Sequence, residues 1–171
     1  PERKKWYAGE TISLGIGQGY NSFTILQLAL ATSTLAASGD RHKPHLVREV
    51  KDVITDVSRP VAKEPSPRLD IKPEYFEVIR TALVGVNREG TSASSFAGAG
   101  YVAAGKTGTA QVVGIKANEK YSASKVAEHL RDNALYMAFA PADKPTIAVA
   151  LVVENAGFGA QSAAPIVRRV F

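Results

Sequence analysis

The stretch Lys106-Thr107-Gly108-Thr109-Ala110-Gln111 decides how this chain folds. Its threonines favour a β-strand, and in a strand Thr107 and Thr109 share one face because side chains alternate. Read together with the preceding residues, it also completes Gly100–Thr107, a letter-for-letter match to the phosphate-binding pattern G-x-x-x-x-G-K-[ST]. The first interpretation gives a hydroxyl-lined strand that can pair with an extended peptide. The second gives a nucleotide-binding loop.

The flanking residues favour the strand. A phosphate-binding loop needs a buried strand before its first glycine and a helix directly after its Lys-Thr pair. Residues 94–99 contain no apolar run, and residues 108–113 are rich in Gly, Thr and Val, which disfavour a helix. The last predicted strand ends in Glu154-Asn155 rather than in a magnesium-binding aspartate. Nucleotide binding is therefore only a remote alternative.

The rest of the chain is predicted from periodicity and from helix-ending residues. Ser22 is a candidate N-cap and Gly39 a C-cap for a helix that is apolar nearly all round, which is typical of a helix inside a domain. Residues 10–16 alternate briefly and then break at a glycine-rich tight turn. We predict helices at 22–38, 73–86 and from 163 onward, and strands at 46–54, 101–115, 134–140 and 146–154. The last two strands form an antiparallel hairpin over 133–155. The connecting segments are an exposed connection at 55–73, turns at 90–100 and a surface excursion at 116–132.

Composition narrows the class of protein. The 171 residues, 45% of them hydrophobic, suit one compact domain. The absence of cysteine excludes disulfides, thiolate nucleophiles and Cys-type zinc sites. The net charge is +5, but the basic residues are interspersed with acids, so we expect a solvated surface and no nucleic-acid partner. Because the chain begins without Met and ends inside a predicted helix, we expect it to be a piece of a longer protein.

Four segments of the chain, taken in order, resemble the C-terminal half of the transpeptidase domain of class B penicillin-binding proteins. They are Gly15–Tyr20, Lys106–Gln111, Leu130–Asn133 and Val153–Asn155. The resemblance covers essentially the whole chain and is strongest to the elongation-specific members. It implies the α/β transpeptidase fold shared with serine β-lactamases, an antiparallel sheet flanked by helices. Residues 1–171 would form a single partial domain, the C-terminal portion of that fold.

The resemblance also implies a chemistry. A serine attacks the penultimate D-Ala of a peptidoglycan stem peptide, D-Ala leaves, and the acyl group passes to the amine of a neighbouring stem. β-Lactams imitate the D-Ala-D-Ala end and acylate the same serine. Lys106, Thr107, Gly108 and Thr109 are the expected substrate-binding residues: Lys106 supplies fixed charge, the two hydroxyls bind a carboxylate, and Gly108 leaves room for a ligand. Lys106 and the backbone N–H of Thr109, an oxyanion donor, are the expected catalytic groups.

The nucleophile of this family is not identifiable in the sequence. The family uses Ser-x-x-Lys, Ser-x-Asn and Lys-Thr-Gly motifs, and only the third is present. Ser122-Ala-Ser-Lys125 fits the first by letter, but its polar surroundings predict a solvated loop. Ser38-Gly39-Asp40 is a poor match to the second motif and is better explained as the end of a helix. We therefore expect the isolated segment to be inactive. The alternative is a non-catalytic penicillin-recognising sensor or cell-wall scaffold.

The remaining expectations concern ligands and location. His42 and His45 form H-x-x-H without further ligands in register, so they are predicted to be surface residues, and no metal or cofactor is expected. The family implies stem peptides, β-lactams, a glycosyltransferase and elongation-complex proteins as partners. It also implies the periplasmic face of the bacterial inner membrane, with an anchor outside this segment. Apolar surface left uncovered predicts self-association of the segment.

Overall fold

A computed structural model describes residues 5–62, 64, 66–114 and 121–171 of the protein. Its helices are α1 Ala8–Gly15, α2 Ile25–Ala36, α3 Pro73–Arg88, α4 Ala93–Phe96, α5 Gly159–Ser162 and α6 Ala164–Val170. Its strands are β1 Glu49–Lys51, β2 Ser58–Pro60, β3 Ala104–Ala110, β4 Asn133–Ala140 and β5 Ile147–Val153. Single 3₁₀ turns lie at Ala123–Lys125 and Glu128–Leu130.

The main sheet is antiparallel, with the strand order β3-β4-β5. Its register pairs Thr107 with Tyr136 and Gly108 with Leu135, and the predicted hairpin of β4 and β5 is confirmed. The open end of this hairpin is closed by Asn155, whose backbone N–H donates to the side-chain carbonyl of Asn133 at 2.8 Å. Among the described strands, β4 is central, so one edge of β3 is free of strand pairing.

Helices cover both faces of this sheet. On one face, Ala134, Tyr136 and Ala138 of β4 pack with α4 and with Val167 of α6. On the other face, Phe139 packs with Ala36 of α2 and Leu83 of α3. This layering follows from the alternation of β4, in which successive side chains point to opposite faces. The predicted packing of the closing helix on the sheet is confirmed.

The predicted helix at 22–38 is present but shorter. Thr24, not Ser22, is its N-cap: the Thr24 hydroxyl accepts from the N–H of Gln27 at 3.1 Å, and the Gln27 side chain accepts from the N–H of Thr24 at 2.9 Å. At its other end the C-cap is Ala37, not Gly39 as predicted. Ser38, with a φ of 52°, is the first left-handed residue, and Gly39, with a φ of 99°, follows it and donates its N–H to the Thr34 carbonyl at 2.8 Å. The expectation of a fully interior helix is wrong, because the sheet covers only one side and Leu26 is 63% exposed.

Several other local predictions need correction. Residues 10–16, whose brief alternation predicts no regular element, lie mostly in α1. Only Glu49–Lys51 of the predicted 46–54 strand is β structure, and it pairs with Ser58–Pro60 inside the predicted connection. The segment at 90–100 contains the short helix α4. Helix α3 begins at Pro73 as predicted. Residues 116–120 of the predicted surface excursion lie outside the described residues.

A buried polar network joins α3 to the centre of the sheet. The side-chain carbonyl of Asn87 accepts hydrogen bonds from the hydroxyls of Tyr136 and Ser92, the latter at 2.7 Å. The Asn87 amide donates to the backbone carbonyl of Ala103 at 2.9 Å. Tyr136 and Ser92 are fully buried, so an unpaired partner would retain the full cost of desolvation. The network therefore fixes the position of the backbone that leads into β3 relative to β4.

This network makes stability sensitive to alkaline pH. Burial raises the pKa of Tyr136, opposed by its hydrogen bonds to Ser92 and Asn87. A phenol whose folded pKa is raised stabilises the fold below its unfolded value of about 10, and that contribution is lost as pH rises through the folded pKa. We expect Tyr136→Phe to lower the free energy of unfolding by about 1 kcal/mol at neutral pH. The gap to wild type should narrow above pH ~10.

Urea unfolding of both proteins as a function of pH measures this gap. Tyr75→Phe is the matched control, since Tyr75 is 54% exposed and lies outside the Asn87 network. A constant gap between wild type and Tyr136→Phe across the alkaline range would contradict the assignment.

Candidate active site

The residues predicted to bind substrate lie together on the edge strand β3. Its seven residues, Ala104–Ala110, include Lys106 through Thr109. Ala104 and Gly105 are buried, whereas Lys106 is exposed and Thr107 to Thr109 are half-buried. The strand thus begins in the core and emerges at the surface where the polar residues start. A strand at this position is incompatible with a phosphate-binding loop, which needs a helix after Lys106-Thr107.

The peptide groups of Thr109 face away from the sheet. The side-chain amide of Gln18, which lies outside the sheet, donates to the backbone carbonyl of Thr109 at 2.7 Å. In an antiparallel ladder, the N–H and C=O of one residue point to the same side of the strand, and successive residues alternate. The N–H of Thr109 therefore also points toward the free edge, as an oxyanion donor must.

A cation and two hydroxyls form a cluster beside this edge. The ammonium of Lys106 donates to the carbonyl of Thr107 at 2.9 Å and lies 3.4 Å from the Thr107 hydroxyl. That hydroxyl is 3.0 Å from the hydroxyl of Thr91, in the loop after α3. One fixed positive charge with two hydroxyl donors suits a carboxylate, which accepts several hydrogen bonds.

Thr91 received no role from the sequence, because it lies in a stretch read only as a turn. Its position is set by Ser92, whose hydroxyl is buried in the Asn87 network. Gly90 allows the chain to turn closely against α3, since an added Cβ would lie 2.7 Å from Cα of Val86. The Gly-Thr pair directly after a long helix is the only sequence signal that could have drawn attention to it.

Gly108 is closely packed by protein on both faces. An added Cβ at Gly108 would lie 3.2 Å from Cβ of Leu135. On the opposite face, an added Cβ at Gly159 would lie 2.6 Å from the carbonyl oxygen of Gly108 and 2.2 Å from that of Leu135. Glycine at these two positions lets the start of α5 sit directly on the β3–β4 pair. Gly108 therefore has a packing requirement in addition to the ligand access expected from sequence.

A cleft of about 380 Å³ lies beside β3, with Leu135, Tyr136 and Met137 of β4 also in its lining. Lys106 to Ala110 form one wall, and the turn after α1 with the start of α2 forms the other. The second wall carries the apolar side chains Ile16, Phe23 and Leu28 around Gln18. An apolar cleft with a few convergent polar groups is the usual form of a small-ligand site.

The other candidates from sequence lie elsewhere in the fold. Ser122 is in the loop before β4, and its hydroxyl lies 3.0 Å from that of Ser124. Ser38 has a φ of 52° at the end of α2, where its carbonyl accepts from Arg68 at 2.9 Å. His42 and His45 are exposed. Within the described ranges, no three His, Cys, Asp or Glu side chains are arranged to hold a metal ion.

Comparison with known proteins gives the family. Residues 1–171 match the family model of the penicillin-binding protein transpeptidase domain. The chain is 45% identical over 159 residues to the peptidoglycan D,D-transpeptidase MrdA of Escherichia coli K12, covering 92% of this chain and 25% of that protein. The chain belongs to the penicillin-binding-protein transpeptidase family. Within it, the chain is of the PBP2/MrdA type of class B, and it spans about a quarter of the length of its curated relatives.

Solved structures share the fold. PBP2 of Pseudomonas aeruginosa, in complex with WCK 5153, superposes with a TM-score of 0.78 at 36% identity, over 98% of this chain and 33% of that chain. Penicillin-binding protein A of Mycobacterium tuberculosis, an imipenem acyl-enzyme complex, gives 0.72 at 29% identity, over 92% and 32%. PBP2 of Helicobacter pylori, in complex with MreC, gives 0.72 at 25% identity, over 96% and 27%. The predicted transpeptidase fold is confirmed.

The close approach of Gly159 to the edge pair predicts a severe effect of a single methyl group. In Gly159→Ala the new Cβ would overlap backbone oxygens of β3 and β4, which cannot move aside as a flexible side chain would. We expect a loss of about 3 kcal/mol of unfolding free energy, at the upper end of the range for overpacking. Thermal or urea unfolding measures it.

Gly100→Ala is the matched control for that substitution. No atom lies within 4 Å of a Cβ added at Gly100, so this variant should retain wild-type stability. Equal stability of Gly159→Ala and wild type would show that α5 does not pack on the β3–β4 pair in this way.

Proposed function

We propose that the chain supplies the Lys-Thr-Gly wall of a peptidoglycan D,D-transpeptidase cleft. In this proposal a serine from residues outside these 171 attacks the stem peptide, D-Ala leaves, and the acyl group passes to a neighbouring stem's amine. β-Lactams acylate the same serine. The observation that carries the proposal is the free edge of β3, where an outward-facing peptide group and a charged hydroxyl cluster border one cleft.

The substrate would bind as an additional strand on β3. An extended peptide placed along a free edge gains main-chain hydrogen bonds, and adjacent side-chain groups give specificity. Lys106, Thr107 and Thr91 would hold the terminal carboxylate, since charge-assisted hydrogen bonds are stronger than neutral ones. Gly108 would present no side chain to the bound peptide.

The N–H of Thr109 would act on the reacting carbonyl. A backbone donor already aimed at the edge stabilises the negative oxygen of the tetrahedral intermediate without reorganisation. The loss of one such donor typically lowers the rate about 10²- to 10³-fold. Lys106, at the start of the same segment, would contribute positive charge to the cleft.

Partners and location follow from the same proposal. The ligands would be stem peptides and β-lactams, and the protein partners a glycosyltransferase and proteins of the elongation complex. The enzyme would act at the periplasmic face of the bacterial inner membrane, anchored by residues outside this chain. In the part of the chain that the structure describes, no helix has the length and apolar content to cross a bilayer.

The oxyanion role can be tested with a proline substitution at Thr109 in the full product of the gene. Proline removes the N–H, and an edge strand tolerates proline where that N–H faces outward. We expect Thr109→Pro to lower the acylation rate by a fluorescent penicillin about 10²-fold or more. Thr109→Val keeps the N–H and loses one of the two hydroxyls that the sequence predicts to bind the carboxylate, so it should mainly weaken initial binding.

Rapid-quench acylation over a range of penicillin concentrations separates the two effects. Circular dichroism of Thr109→Pro shows whether the sheet is intact. An acylation rate constant of folded Thr109→Pro equal to that of wild type would refute the role of this N–H.

The location of the nucleophile is tested by labelling. The full gene product should form a covalent adduct with a fluorescent penicillin, and the isolated 171-residue chain should form none. Mass spectrometry of the adduct identifies the serine. A labelled serine within this chain would overturn the proposal that the nucleophile lies elsewhere. Reversible binding of penicillin by the full product without an adduct would favour the sensor or scaffold alternative.

The isolated chain is expected to self-associate. Leu46, Val53 and Ile54 in and around the β1–β2 hairpin are almost completely exposed, and exposed apolar patches promote association. Light scattering of the 171-residue chain should show species larger than a monomer, and Val53→Lys with Ile54→Lys should reduce them. A monomer at high concentration would contradict this expectation.

A further inference from the structure

Gln18 links two parts of the chain that are 91 residues apart. Its side-chain amide donates to the carbonyl of Thr109 at 2.7 Å in a half-buried position. The carbonyl belongs to the same residue whose N–H is the proposed oxyanion donor. Gln18 takes no direct part in the proposed mechanism, yet its side chain is in direct hydrogen-bond contact with the outward face of that residue.

The turn that carries Gln18 is itself held firmly. Gly17 and Gly19, on either side, have φ values of 80° and 65°, a conformation that other residues adopt only with strain. The N–H of Gln18 donates to Ser13 at 2.9 Å, and the Asn21 amide donates to the carbonyl of Leu14 at 2.9 Å. The Gln18 backbone is therefore fixed, and its side chain needs little ordering to reach β3.

The same turn is tied back to helix α1. The hydroxyl of Tyr20 donates to the carboxylate of Glu10 at 2.8 Å, and the Tyr20 ring lies 6.1 Å from that of Trp6, centroid to centroid. These contacts involve α1 and the segment before it and no residue of β3. The turn thus has its own support, and the contact of Gln18 with Thr109 is an addition to it.

Thr109 has a reason to need such a contact. It follows Gly108, whose missing Cβ allows more backbone freedom than any other residue would. Its C=O and N–H face the free edge, where no strand partner of the described sheet fixes their direction. A donor fixed on the carbonyl limits rotation of the Thr109 backbone and keeps the N–H directed into the cleft.

We propose that Gln18 is a positioning residue that acts through Thr109, and this inference rests on the proposed function. By holding the Thr109 carbonyl, it preorganises the oxyanion donor of the same residue. Preorganised donors contribute to the rate because they need not reorient when charge develops. The loss of Gln18 should therefore slow acylation more than it weakens initial binding of a β-lactam.

The test uses Gln18→Glu and Gln18→Met in the full gene product. Both keep the length of the side chain and lose the donor at neutral pH. We expect each to lower the acylation rate constant for a fluorescent penicillin about tenfold, with a smaller change in the initial binding constant. Protonated glutamic acid regains an O–H donor. The Gln18→Glu rate relative to wild type should therefore recover as pH falls toward the ordinary Glu pKa of about 4.3, and the Gln18→Met ratio should not.

Gln27→Glu is the matched control. It makes the same chemical change in the exposed capping box of α2, where glutamate serves as well as glutamine, and it should match wild type at every pH. A Gln18→Glu rate constant within twofold of wild type at neutral pH would overturn the inference. So would equal recovery of Gln18→Met and Gln18→Glu at low pH.

A second measurement tests the positioning role of Gln18 independently of the proposed function. The amide resonances of Thr109 and Ala110 flank the carbonyl that Gln18 holds, and they should shift and exchange faster in both Gln18 variants. If wild type is not acylated at all, the proposed function fails and these resonances alone decide the positioning. Unchanged resonances would overturn it, whatever the acylation result.

Discussion

The pairing of β3 with only one described strand is the constraint on which the rest of the site depends. Because β4 takes the hydrogen bonds on one side, every second peptide group of β3 points outward, and Thr109 is among them. An edge strand that is apolar and flat would be an aggregation hazard. Here the edge carries Lys106 and threonines and is bordered by a cleft, which suits recognition of an extended peptide.

A strand with one free edge must be held by other means. Three supports converge on β3 in this fold. The Asn87 network fixes its entry through Ala103 and Tyr136, α5 sits on Gly108 through Gly159, and Gln18 holds Thr109. The supports from α5 and from Gln18 depend on glycines, which have no Cβ. The support from Asn87 depends on a fully satisfied buried polar cluster. The supports restrict the backbone of β3, and Gln18 does so by binding the outward carbonyl of Thr109 while the N–H of that residue stays directed toward the cleft.

The sequence predicted the parts of the fold that depend on local pattern. The β4–β5 hairpin, the start of α3 at Pro73 and the left-handed glycine just beyond the end of α2 follow from alternation and from the conformational limits of proline and glycine. The errors have tertiary causes. The 46–54 strand, for example, is short because only three of its residues find a strand partner.

The site was predictable only on the strand itself. Lys106 to Thr109 carry a recognisable pattern, whereas Thr91 and Gln18 reach them from 16 and 91 residues away through single hydrogen bonds. No local periodicity encodes such contacts, since each depends on a turn whose direction is set by glycine at 17, 19 or 90 and by buried partners such as Ser92. Those turns determine where the donors of the proposed cleft point. The glycines and buried partners that set these turns are therefore as important for the geometry of the site as the Lys-Thr-Gly motif is.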